Sequence, residues 1–259
     1  MRPLLRPLAL CLAAAAAPLA AIAAATPASA PPCREVTHEG ARHTVCEVDV
    51  SKHTVKLYWK RPDGQPYAHL GRLPNVDAGP DGKAQRKLRF AINGGMFKAD
   101  LSPVGLYVEG GREHVKASTT KGPGNFHLKP NGVFWVGGGK AGVAETGAYL
   151  KSKPSADIAT QSGPMLVIGG KLHPLFVRAE ASQKMRDGVG VTADGRTAIF
   201  VISEDPVSFA AFGRLFRDVL KTPNALFLDG GSAPALYSPA MSRGGNFLSL
   251  GPMLGIYGP

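Results

Sequence analysis

The chain has 259 residues, 44% of them hydrophobic, and carries 30 Lys and Arg against 19 Asp and Glu, a formal net charge of +11. That length and composition are those of a globular chain and fit one large folded unit. The 32 glycines and 22 prolines imply many turns, and the scattered basic residues argue against a nucleic-acid-binding surface.

Residues 1–30 read as a secretory signal. Arg2 and Arg6 form a basic start, a small apolar run follows, and Ala28-Ser29-Ala30 supplies a cleavage pattern. Its removal takes away two arginines and no acids, which lowers the charge from +11 to +9. No later stretch approaches the roughly 18 apolar residues that a membrane span needs. The expectation is an exported protein, periplasmic or extracellular, with its folded domain in 31–259 and no transmembrane segment. In that oxidising setting Cys33 and Cys46 are expected to form a disulfide.

Short apolar or alternating runs follow, bounded by Gly, Pro and Asn. Segments 44–50 and 54–59 read as an early hairpin, and strands are expected at 88–92, 104–108, 132–136, 165–168, 189–192 and 198–202. Residues 75–83 read as an extended polar loop. One helix stands out over 206–221, where Phe209, Phe212, Leu215, Phe216, Val219 and Leu220 share a face. Asp205 is its expected cap, Pro206 its first residue and Pro223 its stop. Strand, helix and strand in that order predict a crossover near 197–229, with Asp229 at the carboxyl end of its strand. The fold class expected is α+β: a single domain with a strand-rich mixed sheet and few helices.

Three segments share one design, an apolar strand that ends in a polar residue and then glycine. They end in Asn93-Gly94-Gly95, Gln161-Ser162-Gly163 and Asp229-Gly230-Gly231. Glycine fits both a tight turn and a ligand-cradling loop. Three such ends meeting in space would make a polar pocket with exposed N–H groups, suited to sugar hydroxyls or phosphate. Arg186 adds a guanidinium, whose fork matches phosphate, and Asp187 beside it reads as a solvated acid. The seven histidines lack zinc-ligand spacing, so neither a metal nor another cofactor is expected. There is no G-x-S-x-G elbow and no Walker loop.

The ordered set Asn93-Gly94-Gly95-Met96-Phe97, Ser102-Pro103-Val104-Gly105-Leu106, Asn125-Phe126, Asn131-Gly132-Val133-Phe134, Gln161 to Leu166, Arg186 to Gly190 and Leu228-Asp229-Gly230 resembles the bacterial branch of the phosphodiester glycosidase domain family. An animal member removes N-acetylglucosamine from a phosphodiester on lysosomal glycoproteins. Bacterial relatives commonly carry asparagine where this chain has Asp187. The resemblance implies an exported hydrolase that cleaves a glycosyl phosphodiester in envelope or extracellular glycans, with a carbohydrate or phosphoglycan as partner. Asp229 would be base or nucleophile and Arg186 the phosphate grip. Asn93, Gly94, Gly95, Asn131, Gln161, Ser162, Gly163 and Gly230 would hold substrate. Glu109 and Glu204 are the available second carboxylates. The alternative is a non-catalytic envelope protein that binds glycan or phosphoglycan, which needs no Asp229.

Overall fold

The computed structural model describes residues 32–78, 85–176, 182–245 and 247–258. The expected leader lies outside the described residues, as does most of the loop expected at 75–83. The strands are β1 (Cys33–His38), β2 (Ala41–Asp49), β3 (Thr54–Tyr58), β4 (Val76–Asp77), β5 (Arg86–Asn93) and β6 (Tyr107–Glu109). They continue with β7 (Arg112–Val115), β8 (Gly132–Gly137), β9 (Lys140–Glu145), β10 (Ile158–Ser162), β11 (Met165–Ile168) and β12 (Lys171–Leu172). The last six are β13 (Arg186–Val191), β14 (Thr197–Ser203), β15 (Asn224–Gly230), β16 (Leu236–Ser238), β17 (Arg243–Gly244) and β18 (Met253–Gly258). Two α-helices complete the set, α1 (Thr146–Ser152) and α2 (Phe209–Arg214). The strand-rich α+β architecture is as expected.

The strands form three sheets, ordered β1-β2-β14-β13-β15-β11-β12, β7-β6-β10-β8-β9 and β17-β16-β5-β18-β3, with β4 on the side of β5. Neighbours pair antiparallel throughout the described residues, so the sheets are antiparallel and not mixed, contrary to expectation. The crossover at 197–229 exists in a particular form. β14 and β15 both run antiparallel to β13, which lies between them, so they are parallel to each other and α2 bridges the gap. The hairpin expected from 44–59 does not form. β2 pairs with β1 and β14, whereas β3 pairs with β18 in another sheet. The His53 N–H closes onto the Asp49 carbonyl at this corner and turns the chain from one sheet to the next. The strand expected at 104–108 is shortened to β6, because Val104 and Pro103 are tied back to Met96 and Phe97.

Continuous apolar runs mark strands covered on both faces. β14 (TAIFVIS) alternates Phe200 and Ile202, which enter the core shared by all three sheets, with Ile199 and Val201, which pack under α2. Gly188 and Gly190 on β13 let that helix come close. A Cβ at Gly190 would stand 2.8 Å from the Phe216 ring. The helix is shorter than its apolar periodicity predicts, running from Phe209 to Arg214 and passing into a π-turn at Leu215–Val219. Ser208 caps it by accepting the Ala211 N–H at 3.0 Å, in place of Asp205. Val207 is held extended by its bridge to Lys184, so helical dihedrals cannot begin earlier. The Asp205 carboxylate is engaged by the Arg42 guanidinium and backbone N–H.

Cys33 and Cys46 stand opposite one another in the β1–β2 register and are joined, as expected, by a disulfide. Both are buried in the shared core, so the bond fastens the edge strand to its sheet.

Candidate functional site

The three glycine-terminated strands lie in three different sheets: β5 in the third, β10 in the second and β15 in the first. Their carboxyl ends nevertheless meet. The Thr160 hydroxyl donates to the Gly94 carbonyl, and the Ser162 hydroxyl donates to the Leu228 carbonyl at 2.8 Å. Asn93 reaches the loop after β15, where its amide donates to Ala233 O at 3.1 Å and its Oδ1 accepts the Ala235 N–H at 2.8 Å. Gly95 sits at φ 131°, with room for no Cβ: one would lie 2.9 Å from Thr160 Oγ1. Gly94 donates its N–H to Pro252 O, and a Cβ there would strike the backbone at 252–253.

Asp229 lies at this junction. A bulge between Asp187 and Gly188 places Asp187 opposite Asp229 while Gly188 faces Phe227, so β15 contains one residue more than its partner. Bulges of this kind re-aim side chains at strand ends. Asp229 accepts the Gly230 N–H at 2.8 Å and lines a cleft of about 340 Å³ together with Met96, Phe97, Asn125, His127 and Ala233. Burial pushes its carboxyl up to about 7, opposed by the Gly230 N–H and the Asn93 amide. A carboxylate that titrates near neutrality in a cleft is the type of group expected of a general base or nucleophile. His127 has Nδ1 at 3.2 Å from the Thr120 carbonyl, so that nitrogen carries the hydrogen and Nε2 is left for other partners. Residue-type reasoning missed Asn125, His127 and Phe97 as cleft residues. The only sequence signal for Phe97 and Asn125 is membership in the motifs Asn93 to Phe97 and Asn125-Phe126, and His127 directly follows the second.

Other residues expected at the site are turned elsewhere. Arg186 is 1% exposed and lies on the α2 side of β13, the face opposite Asp187. Its Nε donates to Val207 O and its NH2 to Ser182 O, both at 2.8 Å, and its guanidinium stacks 3.5 Å from the centroid of the Phe209 ring. Alternation along the strand forces this, since neighbours 186 and 187 must point to opposite faces. Burial without a carboxylate partner lowers its pKa to about 10. The Gln161 side chain is likewise consumed. Its Oε1 accepts from the N–H groups of Leu106 and Ser118, and its Nε2 donates to Ser118 O and Thr146 Oγ1. Asn131 braces the same region through Phe126 O, Lys129 and Thr146, and Gly163 packs against its Cβ. Gly230 lies against the Phe227 ring and the Met185 carbonyl.

Two further corrections concern carboxylates. Asp187 is not a solvated acid but is 0% exposed, with its Oδ1 accepting the Asp229 N–H at 2.7 Å. The alternation that sends Arg186 under α2 sends Asp187 inward. Glu109 and Glu204 do not join Asp229. Glu204 is held by Arg243 and Thr44, while Glu109 accepts the Tyr107 hydroxyl and lines a separate cleft of about 600 Å³. That larger cleft contains none of the converged residues. Among the described residues no three His, Cys, Asp or Glu gather as a metal-ligand group, and no helix is long and apolar enough to cross a membrane.

Known proteins resemble this chain in sequence and in fold. The chain is 34% identical over 183 residues to the uncharacterized protein YigE of Escherichia coli (strain K12), covering 71% of this chain and 69% of that one. Its fold is similar to the catalytic domain of zebrafish N-acetylglucosamine-1-phosphodiester alpha-N-acetylglucosaminidase. The TM-score is 0.56 at 14% identity, over 88% of this chain and 82% of that one. A hypothetical protein from Synechocystis is also similar, with a TM-score of 0.53 at 15% identity over 88% and 61% of the two chains. The phosphodiester glycosidase family profile matches residues 86–256, from the first residue of β5 into β18 and across all three converging strand ends. The chain therefore belongs to the phosphodiester glycosidase family.

Proposed function

We propose that this protein is an exported hydrolase that cleaves glycosyl phosphodiesters, with Asp229 as the reacting carboxylate. The observation that carries the reading is Asp229 itself, re-aimed by the bulge into a cleft where burial brings its titration to about pH 7. A phosphate monoester is a good leaving group, so this bond needs less general-acid help than an ordinary glycoside and more stabilisation of charge. Asp229, ionised, attacks the anomeric carbon or draws the proton from an attacking water. Asn93 supports it in two ways: its amide favours the ionised carboxylate, and it pins the 233–235 loop beside the cleft. The departing phosphate is assigned to Asn125 and to Nε2 of His127, which replace Arg186 in that role. Arg186 is reassigned as a brace between β13 and the start of α2. Export rests on the Cys33–Cys46 disulfide, which persists in oxidising compartments.

The test is a screen of purified protein against glycosyl phosphodiesters, plain aryl glycosides and aryl phosphodiesters. Cleavage confined to the first class is the expected result. Binding of a phosphoglycan with no turnover of any class would favour the non-catalytic alternative.

A further inference from the structure

The role given to Asp229 leaves Asp187 unexplained, and its surroundings are unusual. It stands opposite Asp229 on the adjacent strand, is wholly buried, and fixes the Asp229 backbone by accepting its N–H at 2.7 Å. Its second oxygen, Oδ2, is buried with no hydrogen-bond partner. Among the described residues no cation pairs with it: Arg186 faces the other side of the sheet and donates to carbonyls. A lone buried carboxylate beside a second carboxylate is far costlier than its neutral form.

We propose that Asp187 is the proton-holding partner of Asp229, a neutral carboxylic acid that positions the reacting group and leaves it the single negative charge of the pair. The proposal rests on the reading of Asp229 as the reacting carboxylate. Oδ1 fixes the strand end by accepting the Asp229 N–H, and the proton resides on Oδ2, the oxygen without a partner.

The groups around Asp187 agree with this. From β15 the facing titratable group is Asp229; from β14 the opposing residue is Ile202, which is apolar. From β5 the nearby polar side chain is Asn93, which is uncharged and bonds the 233–235 loop. Burial, then the charge of Asp229, raises the Asp187 carboxyl well above the ordinary range, and the Asp229 N–H offsets only part of this. Two coupled carboxyls of this kind titrate as a pair. Activity would therefore rise as the pair loses its first proton and fall when Asp187 loses the second, because the site then carries two charges facing an anionic substrate.

The decisive substitution is Asp187→Asn, which keeps the Oδ1 acceptor and replaces the titratable proton by permanent amide hydrogens. Unfolding of the wild type and of Asp187→Asn is measured from pH 4 to 10. The wild-type folding constant is expected to fall relative to the variant by about tenfold per pH unit above the usual carboxylate range, until Asp187 ionises within the fold. Parallel curves would mean that Asp187 is ionised in the fold at neutral pH and would overturn the proposal, whatever the enzyme turns over. With a glycosyl phosphodiester, the pH profile of Asp187→Asn should lack the alkaline limb of the wild type; an unchanged alkaline limb would refute its part in the reaction. If the variant does not fold, the infrared band of an un-ionised carboxyl answers the question in the wild type. It should persist at pH 8, and its absence would refute the assignment. An inactive wild type that nonetheless shows the stability difference would count against the reaction assigned to Asp229 and not against the proton on Asp187.

Discussion

Replacing Asp229 by asparagine should abolish activity and stabilise the protein, two effects of one cause. In the fold, burial holds the Asp229 carboxyl at about 7, against about 3.9 in an unfolded chain. A carboxyl raised in this way keeps its proton in the folded state while the unfolded chain releases it. Stability is therefore lost as pH rises from about 4 to about 7, and the full penalty applies above that. Three units at about 1.4 kcal/mol each set a ceiling near 4 kcal/mol, and solvent reaching the carboxyl from the cleft reduces this to about 2–4 kcal/mol. Asparagine keeps the acceptor for the Gly230 N–H and carries no charge, so Asp229→Asn should be more stable than wild type by that amount at pH 8 and equal to it below pH 4. Turnover should fall by about 10²–10⁴-fold if only general-base help is lost, and by more if a covalent nucleophile is removed. Denaturant titrations at pH 4 and 8, with kcat on a glycosyl phosphodiester, measure both effects. A variant that is destabilised at pH 8, or one that keeps its activity, would show that Asp229 only shapes the strand end.

Wild-type kcat/KM should increase through about pH 7 as Asp229 ionises, and a profile flat from pH 5 to 8 would contradict this. Arg186→Ala should lower stability by about 2–4 kcal/mol by leaving Val207 O and Ser182 O without donors and emptying the space over Phe209. Arg186→Lys, if it folds, should leave KM for a phosphodiester within a few-fold of wild type; a selective loss of phosphodiester binding would return the phosphate to Arg186. Gln161→Leu should cost about 2–4 kcal/mol in chemical denaturation, because the buried N–H groups of Leu106 and Ser118 lose their acceptor. Cys33→Ser with Cys46→Ser should cost about 3 kcal/mol for a loop of this length, seen as a lower Tm that reductant does not lower further.

Much of the fold is legible in the residues alone. Short apolar runs bounded by turn residues mark the strands at 88–92, 132–136 and 198–202, since a run apolar on both alternating faces reports that both faces are covered. The apolar face of α2 is equally visible, but its start is not, because a long-range bridge from Lys184 holds Val207 extended and outweighs local capping preference. The junction of the three glycine-terminated strands follows the same division. Each end is recognisable locally as a polar residue before glycine. Their meeting depends on three sheets stacking, which no single segment encodes.

The pair at 186 and 187 marks the boundary most sharply. The sequence by itself determines that Arg186 and Asp187 face opposite ways on one strand and that Asp229 ends another. Only the tertiary structure decides which face meets α2 and which meets the site. Layer packing puts the arginine under the helix and the carboxyl inside, against the residue types that usually seek water. The bulge opposite Asp187 then turns Asp229 to its side. Alternation is a property of the backbone and can be read from a string, whereas burial belongs to whatever packs against each face, and those elements come from distant parts of the chain.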